Sequence, residues 1–271
     1  MIKPHELKSI IETVRHPPYR TYDQIPMITS HLLAQAHAVV HTMVNKKIVF
    51  VGDYDCASLA LLGTAITLDL PIPAITVLDF DQRVLDSVAR GARMLGAETD
   101  LSIETYNVFD LLPQHLAEKF DWFYTNPPFG AYNKGASVNL FVHRGIELCK
   151  HTEAGGTLIV PADVNRPWSI QALKSVREFL FHAGWRMVEI GHVHHNYHLD
   201  DDPDLQSSSL TLIRDMQPVP ICPLLPYKGR CVDHHSIPTF YGRTIPPPFP
   251  SYIDRNGVPV FLESNLALKA S

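Results

Sequence analysis

The sequence predicts an α/β protein: a mostly parallel, Rossmann-like sheet of seven strands, closed by an antiparallel terminal hairpin and flanked by helices. Three observations carry that expectation. Apolar runs of strand length alternate with segments of helical period between residues 47 and 214. The first run, Val49-Phe-Val51, is continuously apolar, as a strand covered on both faces must be. Successive runs are followed by Asp or Asn, which sets polar side chains along one edge of the sheet, where open α/β sheets bind their ligands.

A chain of 271 residues accommodates one full core and a smaller appendage. The expected organisation is an N-terminal helical segment over 1–46, the Rossmann-like domain over 47–216, and a Pro-rich tail over 217–271. The formal net charge of −5 argues against a nucleic-acid partner and suits a small cationic ligand. Cysteines at 56, 149, 222 and 231 make no disulfide framework, the N-terminus lacks the apolar region of a signal peptide, and no run approaches the ~20 apolar residues of a membrane span. A cytoplasmic protein, free of membrane and able to form a homodimer, is expected.

Leu7, Ile10, Ile11 and Val14 predict a short first helix that breaks at His16-Pro-Pro-Tyr19. Pro26 suits the first turn of a long helix running through Val44, and His31, His37 and His41 on it have no ligand partners at metal spacing. Lys47 to Val51 then reads as a strand, Gly52-Asp-Tyr-Asp55 as a tight turn, and Ala57 to Leu70 as a helix. The glycine-rich anion cradle usual at such a turn is absent. Asp53 and Asp55 stand where partial positive charge normally welcomes an anion, so each is a helix cap, a ligand for an ammonium group, or both at once.

Ala74 to Asp79 is the second strand, followed by a helix over Gln82 to Leu95. Asp79 at the strand tip, with Asp81 as rival, is placed to accept from ribose hydroxyls, or else to cap the helix. Near the exit of a third strand, Ser102 to Tyr106, Asp110 could accept from the exocyclic amine of adenine or start a helix.

The fourth strand, Asp121 to Thr125, ends in Asn126-Pro-Pro-Phe-Gly130. Pro127 and Pro128 remove two donors and stiffen the loop. Asn126, a backbone carbonyl and the Phe129 ring would then hold the N–H groups of a nucleophilic amine with its lone pair aimed at an electrophile. Helices over Val138–Lys150 and Ser169–His182 enclose a fifth strand, Thr157–Val160, and Met187–His195 with Ser208–Arg214 form the final antiparallel pair.

The loop joining that pair holds Asp200, Asp201, Asp202 and Asp204 beside Tyr197 and His198, and either closes over the site to hold a polycation or is merely solvated. The cluster His192, His194, His195 and His198 is a metal pair or a polar sheet edge. Cys222, Cys231, His234 and His235 match no compact zinc spacing, and no metal is expected. The tail, with Pro246-Pro-Pro248, should be extended, wrapping the domain or reaching a partner.

Taken together, Tyr22-Asp-Gln24, Val51-Gly-Asp-Tyr-Asp-Cys-Ala-Ser58, Leu78-Asp-Phe-Asp81 and Thr125-Asn-Pro-Pro-Phe129 resemble the branched-chain polyamine synthases, which are aminopropyltransferases on a methyltransferase-type Rossmann-like fold. The resemblance spans about residues 20 to 215. The family typically has Gly followed by three Asp where this chain has Gly52-Asp-Tyr-Asp55, and Asp-Pro-Pro-Tyr where it has Asn126-Pro-Pro-Phe129, so Tyr54, Asn126 and Phe129 are departures. It also typically carries a winged-helix domain ahead of the catalytic one.

The resemblance implies decarboxylated S-adenosylmethionine as donor and a polyamine as acceptor. Gly52, Asp53, Asp55, Asp79 and Asp110 would hold the donor. Asn126, Pro127, Pro128, Phe129, Tyr197, Asp200 and Asp201 would hold the acceptor, with Asn126 and Asp55 nearest the chemistry. Asn-Pro-Pro-Phe is also similar to the motif of adenine and glutamine amino-methyltransferases, so S-adenosylmethionine and methyl transfer are the alternative. A catalytically silent binder of nucleoside or polyamine is a third reading.

Overall fold

A computed structural model describes residues 2–190, 194–199, 202–214, 226–243 and 247–262. Helices α1 (Pro4–Val14) and α2 (Thr29–Met43) precede β1 (Lys47–Val51). Then α3 (Ala57–Thr67), β2 (Ala74–Asp79), α4 (Gln82–Leu95), β3 (Leu101–Thr105), β4 (Trp122–Thr125), α5 (Ala136–Leu148), β5 (Gly155–Pro161) and α6 (Pro167–His182) follow. The chain continues through β6 (Trp185–Ile190), the two-residue β7 (His195–Asn196) and β8 (Gln206–Arg214), and ends in a small hairpin of β9 (Tyr252–Ile253) and β10 (Pro259–Val260).

The main sheet runs β3-β2-β1-β4-β5-β8-β6, with β7 also paired to β8. The five strands from β3 to β5 are parallel, and β8 inserts antiparallel between β5 and β6. Chain order reverses between β1 and β4, so their carboxyl ends open a crevice there. Side-chain alternation along β1 feeds two cores: Ile48 and Phe50 pack with α1 to α4, and Val49 and Val51 with α5 and α6. Among the described residues no helix is long and apolar enough to cross a membrane.

Two sequence expectations need correction. Pro26 is not in a helix, because residues 26–28 are extended against 196–198: the Ile28 amide donates to the Asn196 carbonyl at 2.9 Å and the His198 amide to the Pro26 carbonyl at 3.0 Å. α2 therefore starts at Thr29. The tail, in turn, is not uniformly extended. Besides the β9–β10 pair, Phe240 and Tyr241 are buried in the core on the α5 side, and the Ile253 amide donates to the Phe80 carbonyl at 2.8 Å.

One buried cation fastens this tail. Arg144 on α5 is fully buried, and its guanidinium donates to the carbonyls of Val108, Asp110 and Arg230, each at 2.9 Å, and to Glu147 Oε2 at 2.6 Å. Burial would raise the Glu147 carboxyl, but hydrogen bonds from His143 and Arg144 outweigh it and hold it below the usual range.

Candidate active site

The β1–α3 turn is tight because Gly52 takes φ +74°, a region open to glycine, while its amide donates to the Leu78 carbonyl at 2.8 Å. Thr125 Oγ1 donates to the Val51 carbonyl at 2.7 Å, locking the tip of β4 beside the tip of β1. These ties bring three sequence-predicted acids, Asp53, Asp55 and Asp79, together with Asn126 in one cleft of about 740 Å³ counted out to its mouth. Asp23 is a fourth acid on its wall, and among the described residues no Lys, Arg or His lines it.

The acids are not equivalent. Asp53 takes the orphan amides of the α3 N-terminus: Oδ1 accepts from Ala57 N at 2.7 Å and Ser58 N at 3.3 Å, and Oδ2 accepts from the Ser58 hydroxyl. Burial pushes its carboxyl up to about 8, against the lowering effect of those bonds. Asp55 does not cap. Its Oδ1 accepts from the Met27 amide at 2.5 Å, its Oδ2 from Asn126 Nδ2, and its backbone carbonyl from the Arg15 guanidinium at 2.9 and 3.1 Å. Burial raises its carboxyl, with Arg15 opposing.

Asp79 points at the turn. Its Oδ2 accepts from Asp53 N at 2.8 Å and its Oδ1 from Asp81 N at 2.9 Å, and burial together with the neighbouring Asp81 lifts its carboxyl to about 7. The rival Asp81 is consumed elsewhere, accepting from the Arg83 amide and from its guanidinium at 2.6 and 3.0 Å.

Asp110 is a correction: it does not line the cleft. No helix starts there, because Asn107 Oδ1 accepts from Phe109 N at 3.1 Å and turns the chain away, leaving Tyr106, Asn107 and Val108 as the wall. The β3 exit acts through those residues.

A second cleft of about 320 Å³ adjoins the first and shares Asp23, Ile25 and Asn126 with it. Pro127, Phe129 and Tyr197 line it, and Pro128 lines the first. The Phe129 ring stands edge-on to Tyr197, with centroids 5.9 Å apart. Asp200, Asp201, His192 and Cys222 lie outside the described residues. Of the remaining histidines, His194 and His198 are exposed, and His195 is fully buried between Gln35 and Ser207. His234 and His235 group with Asp233, not Cys231, with potential ligand atoms within 4.8 Å.

Sequence reasoning missed the aromatic walls. Tyr22, Phe80, Tyr106, Tyr124, Phe141, Phe240 and Tyr241 surround the first cleft, coming from six parts of the chain. The only available signal was the polar, aromatic stretch Arg20-Thr-Tyr-Asp-Gln24, which precedes any strand. Asp23 is pushed up to about 6 by burial, with Arg243 and Arg20 pulling it down.

Strand order, crevice and strand-tip carboxylates define a Rossmann-like α/β protein of the methyltransferase type. The chain belongs to the branched-chain polyamine synthase family: residues 8–215 match the family model described as Branched-chain polyamine synthase A C-terminal domain. It is 30% identical over 145 residues to the N(4)-bis(aminopropyl)spermidine synthase of Thermococcus kodakarensis, a match covering 52% of this chain and 38% of that one. The chain thus spans about two fifths of the length of that curated relative. Among solved structures it is similar to the branched-chain polyamine synthase of Thermus thermophilus in complex with N4-aminopropylspermidine and 5'-methylthioadenosine (TM-score 0.65, 18% identity, 85% of this chain and 67% of that one). A candidate RNA methyltransferase from Pyrococcus horikoshii shares the fold at TM-score 0.56 and 14% identity, covering 78% of this chain and all of that one.

Proposed function

We propose that the chain is an aminopropyltransferase of branched-chain polyamine synthesis, moving the aminopropyl group of decarboxylated S-adenosylmethionine to a polyamine amine. The observation that carries this reading is the side chain of Asp53 on the N-terminal amides of α3. Those amides are where a donor's carboxylate would dock, and an internal carboxylate already fills them. A donor without that carboxylate fits a cleft with four acids and, among the described residues, no base. Its sulfonium and ammonium both gain from the acids.

In this reading Asp79 accepts from the ribose hydroxyls through lone pairs left free by Asp53 N and Asp81 N, and the aromatic walls enclose the adenine. The acceptor lies in the second cleft, where Asp23 faces a distal ammonium. Asn126, common to both clefts, accepts from the N–H of the uncharged attacking nitrogen. Its lone pair attacks the carbon beside sulfur, the C–S bond breaks, sulfur keeps the electron pair, and the neutral thioether leaves. The proton on the new ammonium passes to solvent.

Several kinships support this reading: the family membership, the relative's name, and the product and thioether in the Thermus thermophilus complex. Incubation with spermidine and the decarboxylated donor should yield aminopropylated spermidine and 5'-methylthioadenosine by mass spectrometry. Calorimetry should rank the decarboxylated donor above S-adenosylmethionine. The reverse order, with methylated product, would sink the proposal.

A further inference from the structure

A hydrogen-bonded chain runs from the cleft into the core. Asn126 Nδ2 donates to Asp55, the Tyr197 hydroxyl lies 3.3 Å from Asn126 Oδ1 and 2.8 Å from Ser207 Oγ, Ser207 Oγ lies 3.2 Å from His195 Nδ1, and His195 Nε2 lies 3.0 Å from Gln35 Oε1. Five elements contribute, and Gln35, His195 and Ser207 are at most 1% exposed.

Counting protons fixes its direction. Asp55 already accepts the Met27 amide on Oδ1, and it takes a second donor, the Asn126 amide nitrogen, on Oδ2. The Asn126 oxygen then faces Tyr197, whose single proton must be donated to it. Ser207 therefore donates to Tyr197 and must itself receive a proton from His195 Nδ1. Burial, with His31 and His194 adding, pushes the His195 imidazole down to about 4, so it is neutral and holds one proton, here on Nδ1. Nε2 is left as an acceptor. The Gln35 amide must then offer its nitrogen, and that nitrogen has no partner when the oxygen faces the ring. Turning this amide over satisfies it, in exchange for an under-satisfied carbonyl, the less costly orphan. The opposite direction would turn the Asn126 oxygen onto Asp55 Oδ2, against the N–H contact made there, and would leave the Gln35 nitrogen stranded.

We infer that His195 is a positioning residue: as the Nδ1–H tautomer, acting through Ser207 and Tyr197, it holds the Asn126 side chain with its oxygen, not its NH₂, toward the acceptor cleft. This rests on the proposed role of Asn126 as receptor for the attacking amine. Turned over, Asn126 would present N–H to N–H and repel the nucleophile.

The direct test is a long-range proton–nitrogen NMR correlation of the imidazoles in the ligand-free protein, assigned with a His195→Asn variant. The expected result is a protonated Nδ1 and a bare Nε2 at His195. The Nε2–H tautomer would overturn the inference whatever the enzyme does, so it stands apart from failure of the proposed reaction. The second test is kinetic. The amide nitrogen of His195→Asn can mimic Nδ1–H, whereas that of His195→Gln lies at the Nε2 position. The Asn variant should keep kcat, and the Gln variant should lose about 10- to 100-fold in kcat with donor KM unchanged. Equal kcat in both variants would also overturn it.

Discussion

At the residue scale, the contact between Asn126 and Asp55 decides what substitution can do. Asn126→Ala removes the amide common to both clefts and should lower kcat by about 100-fold or more, while the donor Kd measured by calorimetry changes little. Asn126→Asp sets a second carboxylate against buried Asp55, so the pair must share a proton. Its activity on polyamines should persist, but with a pH optimum displaced from the wild type in a rate profile. Asp79→Asn should cost about 1.5–3 kcal/mol of donor affinity, since the amide cannot both receive the turn's N–H groups and accept from a ribose as a charge. The carboxyls of Asp53 and Asp79, raised to about 8 and 7, keep protons in the folded state that the unfolded chain has lost. Their contribution to stability is therefore present below about pH 4 and lost as pH rises through 7 and 8. His195, pushed down to about 4, acts oppositely: its contribution is present above pH 6.5 and lost as pH falls toward 4. A cationic donor prefers the ionised acids, so its affinity should climb between about pH 6 and 8, by at most about tenfold per pH unit for each proton released. Calorimetry in buffers of different ionisation enthalpy would count those protons. Asp79 and Asn126 were legible because each ends an apolar run, and Asp110 was misread because a side-chain-capped turn intervenes where sequence spacing measures only distance along the chain.

At the element scale, hydrophobic period found the main elements of the sheet, since both faces of a parallel strand must be covered and each helix needs one apolar stripe. The failures came where backbone pairs with a distant segment. Residues 26–28 have proline and apolar residues that suit a helix start, yet they are spent on pairing with 196–198, which no local pattern announces. That same pairing is what carries Tyr22, Asp23 and Gln24 to the cleft. The close fit of β4 and β5 offers a stability test: a Cβ at Gly156 would lie 2.4 Å from the Phe123 ring, which is itself fully buried. Gly156→Ala should destabilise by about 1–3 kcal/mol in chemical denaturation. Gly184→Ala, at φ +73° but facing open space, should lose only what the backbone conformation costs, about 1 kcal/mol.

At the scale of the whole molecule, the cleft is assembled from segments that precede, form and follow the sheet, and Arg144 is where the last of these is held. Arg144→Met strands Glu147 and three carbonyls, and should cost about 3–5 kcal/mol by thermal or denaturant unfolding. Before the domain melts, limited proteolysis should find new cleavage within 226–243, and donor affinity should fall with it. None of this was readable in advance, because the tail's Phe240 and Tyr241 sit in a Pro-rich stretch without period, and their burial depends on rings from elsewhere: Phe240 meets Phe109 at 4.6 Å and Tyr241 meets Tyr22 at 5.1 Å between centroids. The order of synthesis gives this arrangement a further meaning. A ribosome makes the acidic floor of the cleft first and the Phe240–Tyr241 part of its aromatic wall only after every strand of the main sheet, so a nascent chain paused after β8 would possess the carboxylates but lack the last side of the wall that closes over a nucleoside. Ligand capture would then report that translation has passed residue 241, and donor present during synthesis would favour the chains that had docked this final segment.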